Sequence, residues 1–267
     1  MNTIKIGTTD NINRMGFGTM RLTTGPGIWG DPADRQHAIH IIREAVELGV
    51  NFVDTADAYG PGNSELLVAE ALAPFGEEVL LATKGGAVKY APASVMSNGH
   101  PYYLQKAVEA SLRRLKRSSI DLYFLHRVDP NIPIEDSVGA LAAMQKAGKI
   151  KQLGLSNVTV EQLQIAQRVA PIAAVQNAFS ITDRRYEALV NYTKEQGIAF
   201  VAHTPVGKGQ LPADFAQANW TASQTALAWL LQFADHIIAI PGTSQSVHLQ
   251  ENMAALALAD QGPVPSA

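Results

Sequence analysis

Apolar and polar positions in this chain follow two periods that take turns along its length. Residues 4–7 and 12–14 flank the pair Asp10-Asn11, which predicts a small N-terminal β-hairpin. Residues 15–20 read Met-Gly-Phe-Gly-Thr-Met, a strand whose glycines allow close approach of a neighbouring strand or a ligand. A long loop through Pro26, Trp29 and Pro32 follows. Ile39, Ile42, Ala45 and Val46 then set a helical stripe over 35–48, and Gly49 is placed to end it. From there strands and helices alternate. Strands are predicted at 52–53, 79–83, 121–125, 151–155, 173–176, 199–202 and 237–240. Helices are predicted at 65–72, 102–115, 136–147, 160–169, 184–196, 222–233 and 247–254. Strands separated by helices of this length imply βαβ units on a parallel sheet. With the Gly-Phe-Gly strand and the helix at 35–48 there are eight of each. That count predicts the α/β class and a closed, parallel eight-stranded (β/α)8 TIM barrel rather than an open doubly wound sheet.

Composition narrows the picture. The 267 residues suit one barrel domain spanning 1–267, close to the roughly 250 residues usual for the architecture. A charged fraction of 17% and a net charge of −3 give no electrostatic footprint for nucleic acid or an anionic membrane. Arg113, Arg114, Lys116 and Arg117 read as the cationic end of a helix, complementing its dipole. The absence of cysteine excludes disulfides, thiolate nucleophiles and cysteine-ligated metals. No apolar run approaches the ~18 residues that span a bilayer, and residues 1–10 lack a signal-peptide layout. The expectation is a soluble cytoplasmic protein, a monomer or weak homo-oligomer, with no nucleic-acid or membrane partner.

The ends of the predicted strands carry the chemistry. Residues just past the strand ends form the active face of such a barrel. Asn-Phe-Val-Asp ends in Asp54, with Tyr59 in the turn that follows. Val-Leu-Leu-Ala-Thr ends in Lys84, and Asp-Leu-Tyr-Phe-Leu ends in His126. Neighbouring strands lie about 4.8 Å apart, so these groups can converge. Singly, each has a structural reading: Asp54 satisfied by turn amides or paired with Lys84, Tyr59 packed under a loop, His126 a satisfied buried imidazole. Together they form a polarising pocket for a carbonyl. Lys84 beside the phenol is expected to lower the Tyr59 pKa from its ordinary value of about 10, with Tyr59 as general acid. His126 can hydrogen-bond a substrate oxygen. No residue can deliver a hydride, which leaves that task to a nicotinamide cofactor.

Asp-Thr-Ala-Asp-Ala-Tyr-Gly, Ala-Thr-Lys-Gly-Gly, Ser-Leu-Arg-Arg-Leu and Ile-Asp-Leu-Tyr-Phe-Leu-His resemble the aldo-keto reductase family. Gly-Leu-Ser-Asn, Val-Gln-Asn and Ile-Pro-Gly-Thr-Ser with Glu251-Asn252 extend the likeness over nearly the whole chain. The resemblance implies a carbonyl reductase of small molecules, with Asp54, Tyr59, Lys84 and His126 as catalytic tetrad. It places Ser156, Asn157 and Gln176 on the nicotinamide carboxamide. It implies further cofactor contacts from Gly18, Thr19, Met20, His203, Thr204, Val206, Gly207, Lys208, Pro241, Gly242, Thr243, Ser244, His248, Glu251 and Asn252. Without it, Ser156-Asn157 reads as a helix start and Gln176 as an ordinary buried amide.

Three departures stand out. His203 replaces a stacking tyrosine. Gly242 and His248 replace a lysine and an arginine that grip the adenosine 2′-phosphate, so NADPH is expected with NADH as the alternative, Thr243, Ser244 and the helix start offering backbone amides. Short segments at 204–220 and after Asn252 imply an open pocket. Trp29 and Arg127 are the candidate substrate contacts, Arg127 competing with a pairing to Asp129. The His-Arg-Val-Asp-Pro stretch resembles a bacterial branch that includes pyridoxal reductases. Two other readings are a non-catalytic nicotinamide-binding redox sensor and a metal-dependent hydrolase using Asp54, Asp57, His126 and His203; Lys84 would repel a cation, and no metal is expected.

Overall fold

A computed structural model describes residues 3–23, 28–92, 94–209, 211, 215–216, 219–260 and 262, with the Lys208 side chain and Pro26 outside the described set. Strands β1 (Thr3–Ile6) and β2 (Thr9–Asn13) form the N-terminal antiparallel hairpin. The barrel then runs β3 (Phe17–Gly18), α1 (Arg35–Glu47), β4 (Phe52–Asp54), α2 (Asn63–Leu72) and β5 (Leu80–Gly85). A second hairpin, β6 (Ala87–Ala91) and β7 (Ser94–Ser97), interrupts the rhythm before α3 (Pro101–Leu115) and β8 (Ile120–Leu125). Next come α4 (Ile134–Lys146), β9 (Ile150–Ser156), α5 (Val160–Gln167), β10 (Ala174–Ala178), α6 (Glu187–Glu195) and β11 (Ala199–His203). The closing elements are α7 (Ala222–Phe233), β12 (Ile237–Ala239) and α8 (Ser246–Leu258).

The eight barrel strands are parallel, in the order β3-β4-β5-β8-β9-β10-β11-β12. The seam between first and last is bridged by Gly16 N donating to Ala239 O at 2.8 Å and Ala239 N donating to Arg14 O at 2.9 Å. The (β/α)8 barrel predicted from the sequence is therefore the fold. Two details differ from expectation. The first hairpin turns at Gly7-Thr8, leaving Asp10 and Asn11 within β2, because Gly7 adopts φ +53° where a Cβ would strike the Gln152 side chain. Helix α6 starts at Glu187 rather than 184, since Arg184 and Arg185 are drawn into side-chain bonds with Glu187 and Asp183 ahead of it.

The period of two along each strand decides what faces inward. Val53, Leu81, Tyr123, Leu153, Val175 and Phe200 pack outward against the helices. Phe52, Leu80, Ala82, Leu122, Phe124, Ala174, Val201 and Ile238 fill the interior, and Ile6 and Ile12 of the hairpin join that cluster. Gly154 belongs to the same layer, where a Cβ would lie 2.4 Å from the Phe124 ring. Near the hairpin the buried Arg14 donates to the carbonyls of Ile237 (3.0 Å) and Leu231 (2.7 Å), holding the end of α7 to β12. Continuing the parity by two residues past Phe52, Ala82, Phe124, Gly154, Ala174 and Val201 brings up Asp54, Lys84, His126, Ser156, Gln176 and His203. The inward face thus carries every strand-end polar residue singled out above, stepped from strand to strand: Asp54 pairs with Ala82, Lys84 with Phe124 and Gln176 with Val201.

Candidate active site

Asp54 is the hub of that inward-facing set. It is 2% exposed. Lys84 Nζ donates to Asp54 Oδ2 at 2.5 Å and to Thr55 O at 2.8 Å. From across the barrel Gln176 Nε2 donates to Asp54 Oδ1 at 2.8 Å. Both carboxylate oxygens are thereby occupied, which offsets the cost of burying the charge. Burial lifts the Asp54 pKa, opposed by Lys84 and Gln176. Burial also works against the Lys84 ammonium, but Asp54 and the Tyr59 phenol outweigh it and hold Lys84 above the ordinary lysine range. Thr19 supports the hub from behind, its hydroxyl donating to Asp54 O at 3.0 Å.

Tyr59 is half-buried, with Lys84 Nζ 5.2 Å from its ring centroid and hydrogen-bonded to its hydroxyl. His126 meets it edge-on, the ring centroids 6.0 Å apart. The expected lowering of the Tyr59 pKa is reversed in sum. Burial raises it, and Lys84 only partly opposes that. The phenol therefore keeps its proton, which is the form an acid must start in. Burial, then Lys84 and Arg127, push His126 well below the ordinary histidine range, so its ring is neutral near pH 7.

Asn157 organises the next stretch of wall from a left-handed conformation (φ +57°), which Asn tolerates better than most residues. Its Nδ2 donates to His126 O (3.1 Å) and Ser156 Oγ (3.0 Å). Its Oδ1 must then accept from His203 Nε2 at 3.3 Å, and His203 Nδ1 is hydrogen-bonded to the Thr204 hydroxyl at 3.0 Å. This network fixes the His203 ring plane and a proton on its Nε2.

A cavity of about 750 Å³ joins these groups. Of the residues proposed from the sequence, Gly18, Met20, Asp54, Tyr59, His126, Arg127, Ser156, Asn157, Gln176, His203, Thr204, Val206, Pro241, Gly242, Thr243, His248, Glu251 and Asn252 line it. Lys84 and Thr19 stand behind the wall, and Gly207 and Ser244 do not line it; Ser244 O instead accepts from His37. Trp29 is also off the wall, its place taken by Ile28. Lys89 and Val95, from the second hairpin, and Arg21 line the cavity without having been singled out. A visible signal for the hairpin was the short alternation Ala-Val-Lys-Tyr-Ala. Arg21 gave none beyond following Met20.

Gly242 explains itself sterically. A Cβ there would lie 2.4 Å from Gly18 O and 3.6 Å from Arg21 Cγ. The backbone of β3 excludes a lysine, and the Arg21 stem lies beside the excluded volume. Among the described residues no group of three or more His, Asp or Glu side chains is arranged to hold a metal ion, and no helix is long and apolar enough to cross a membrane.

The profile of the Aldo/keto reductase family matches residues 14–219. The chain is 41% identical over 266 residues to the pyridoxine 4-dehydrogenase of Escherichia coli, covering 95% of this chain and 92% of that protein. It is 42% identical over 260 residues to an uncharacterized oxidoreductase of Schizosaccharomyces pombe, covering 95% and 84%. The holo form of a Bacillus halodurans aldo-keto reductase shares the fold with a TM-score of 0.85 at 27% identity, covering 99% of this chain and 93% of that one. A Klebsiella pneumoniae aldo-keto reductase in complex with NADPH gives 0.80 at 26%, covering 96% and 89%.

Proposed function

This chain belongs to the aldo-keto reductase family and is an NAD(P)H-dependent oxidoreductase of aldehydes or ketones; from that premise we propose that Tyr59 donates the proton to the carbonyl oxygen. The observation that carries this is the convergence at the cavity of the Tyr59 ring with the Lys84 ammonium, 5.2 Å from its centroid, and the His126 ring, 6.0 Å away. NADPH, when bound, supplies the hydride. The residues present fit it. Gln176 is anchored by its amide nitrogen donating to Asp54, so its carbonyl oxygen remains to accept from a carboxamide, and the Ser156 hydroxyl, already accepting from Asn157, is free to donate. Asn157 holds the His203 ring at the position of the expected stacking ring. Arg21 takes over the cationic role that Gly242 cannot serve, beside Thr243 and the start of α8, which favours a 2′-phosphate.

Each remaining residue acts on the proton or the carbonyl. Neutral His126 donates a hydrogen bond to the substrate oxygen. Lys84 stabilises the tyrosinate that remains after proton transfer, and Asp54 keeps Lys84 charged and in place. The similarity to pyridoxine 4-dehydrogenase supports a small ring aldehyde such as pyridoxal as substrate. The test is Tyr59→Phe. It should abolish aldehyde-dependent NADPH oxidation while NADPH still quenches tryptophan fluorescence with unchanged affinity. Normal turnover in that variant would overturn the assignment.

A further inference from the structure

Arg127 follows His126 on the loop leaving β8 and lines the cavity where Tyr59 and His126 stand. Its sequence neighbour Asp129 is not its partner. Asp129 Oδ2 accepts from Gly99 N and Oδ1 from Asn131 N, both at 2.9 Å, and these amides hold the carboxyl below its usual range. Arg127 itself is exposed and has no acidic partner among the described residues. Lys89 reaches the same end from the adjacent hairpin after β5, where its Nζ donates to Ile28 O at 3.2 Å.

The acids on the cavity wall do not balance Arg127. Asp54 is occupied by Lys84 and Gln176. Glu251 belongs to α8, which follows β12, and β12 stands on the far side of the barrel from β8. Cofactor phosphates would lie on that far side, beside Arg21 and Thr243. A guanidinium at the mouth of a site that is partly closed to water therefore awaits a charge that neither the protein nor the cofactor end supplies.

We propose that the carbonyl substrate carries a second, anionic group, a carboxylate or a phosphate, held by Arg127 with Lys89 adding to the field, so that its carbonyl is set between Tyr59 and His126. The proposal rests on the carbonyl-reductase reading above. Arg127 is a binding residue in this scheme, and its planar fork matches either oxyanion in two-point fashion.

Matched aldehydes test it, followed by NADPH oxidation with the full-length protein. For the carboxylate arm, 4-carboxybenzaldehyde is compared with methyl 4-formylbenzoate. For the phosphate arm, pyridoxal 5′-phosphate is compared with 5-deoxypyridoxal. The charged member of at least one pair should have a kcat/KM at least about tenfold higher, mainly through KM, because a hydrogen bond to a charged group is worth that much. The arm that shows the ratio identifies the group. Arg127→Gln should collapse that ratio toward one, and raising the salt concentration should shrink it in the unsubstituted enzyme. Ratios near one in both pairs, or a ratio that survives Arg127→Gln, would overturn the anionic site and leave carbonyl reduction standing. Tight NADPH binding with no reduction of any member would overturn the reading beneath it.

Discussion

Removing the charge of Lys84 without changing its bulk tests the hub of the site. Lys84→Met fills the same space but leaves the Asp54 carboxylate, 2% exposed, with only the Gln176 amide as donor. Breaking a buried ion pair by deleting one partner costs about 3–5 kcal/mol, a large share of the 5–15 kcal/mol that stabilises a typical domain. The melting temperature should fall by on the order of 10 °C, read by calorimetry or circular dichroism. The sign of the pH dependence follows from Asp54. Without Lys84 its folded-state pKa rises further above the unfolded value of about 3.9, so the variant is least impaired below that pH and loses stability as pH rises through the folded pKa. Adding Asp54→Asn removes the buried charge, so the double variant should recover most of the lost stability and show no such pH dependence. Both variants should be inactive. If Lys84→Met melts with the unsubstituted protein, or the double variant is no more stable than the single, the reasoning about this pair is wrong.

Four further outcomes follow from the geometry. Because burial keeps Tyr59 protonated and His126 neutral, kcat/KM for reduction should stay flat between about pH 6.5 and pH 9, and an alkaline fall centred well below pH 10 would contradict the raised phenol. Arg21→Ala should weaken NADPH binding about tenfold and NADH binding far less, measured by fluorescence titration; equal losses would place Arg21 elsewhere on the cofactor. Gly242→Lys should not improve NADPH affinity and should lower stability, since its Cβ meets Gly18 O. Gly154→Ala should cost about 1–3 kcal/mol in urea unfolding by driving a methyl into the Phe124 ring, and a neutral effect would mean that ring moves freely.

The inward-facing set of the site is legible in the sequence through strand parity. Asp54, Lys84 and His126 each terminate an apolar run of unmistakable β character, so their shared inward face follows from counting. The fold followed from the same alternation of periods. What escaped lies off that lattice. The net effect on Tyr59 depends on how completely its hydroxyl is enclosed, which neighbouring letters do not encode. Arg21 sits in a short 3-10 turn (Thr19–Leu22) whose direction is set by the seam between β3 and β12, two strands more than 200 residues apart in sequence. Trp29 lies on the first long loop, and that loop turns Ile28 to the cavity instead. Asn157 illustrates a third kind of gap: its type suggested a cap or a ligand contact, whereas its bonds make it the bracket for His203 and His126.

The second hairpin, β6 with β7, pairs only with itself and forms a sheet separate from the barrel. It brings Lys89 and Val95 to the cavity while exposing Tyr90 and Met96. One part of the cavity wall and the proton chemistry are thus written on different parts of the backbone. The reacting groups are tied across β4, β5 and β10 and tolerate little change, but the hairpin can be exchanged as a cassette. Diversification in such an enzyme can proceed by replacing about a dozen overhanging residues, with the catalytic layer inherited untouched. For an engineer, that makes residues 87–97 the place to begin a library.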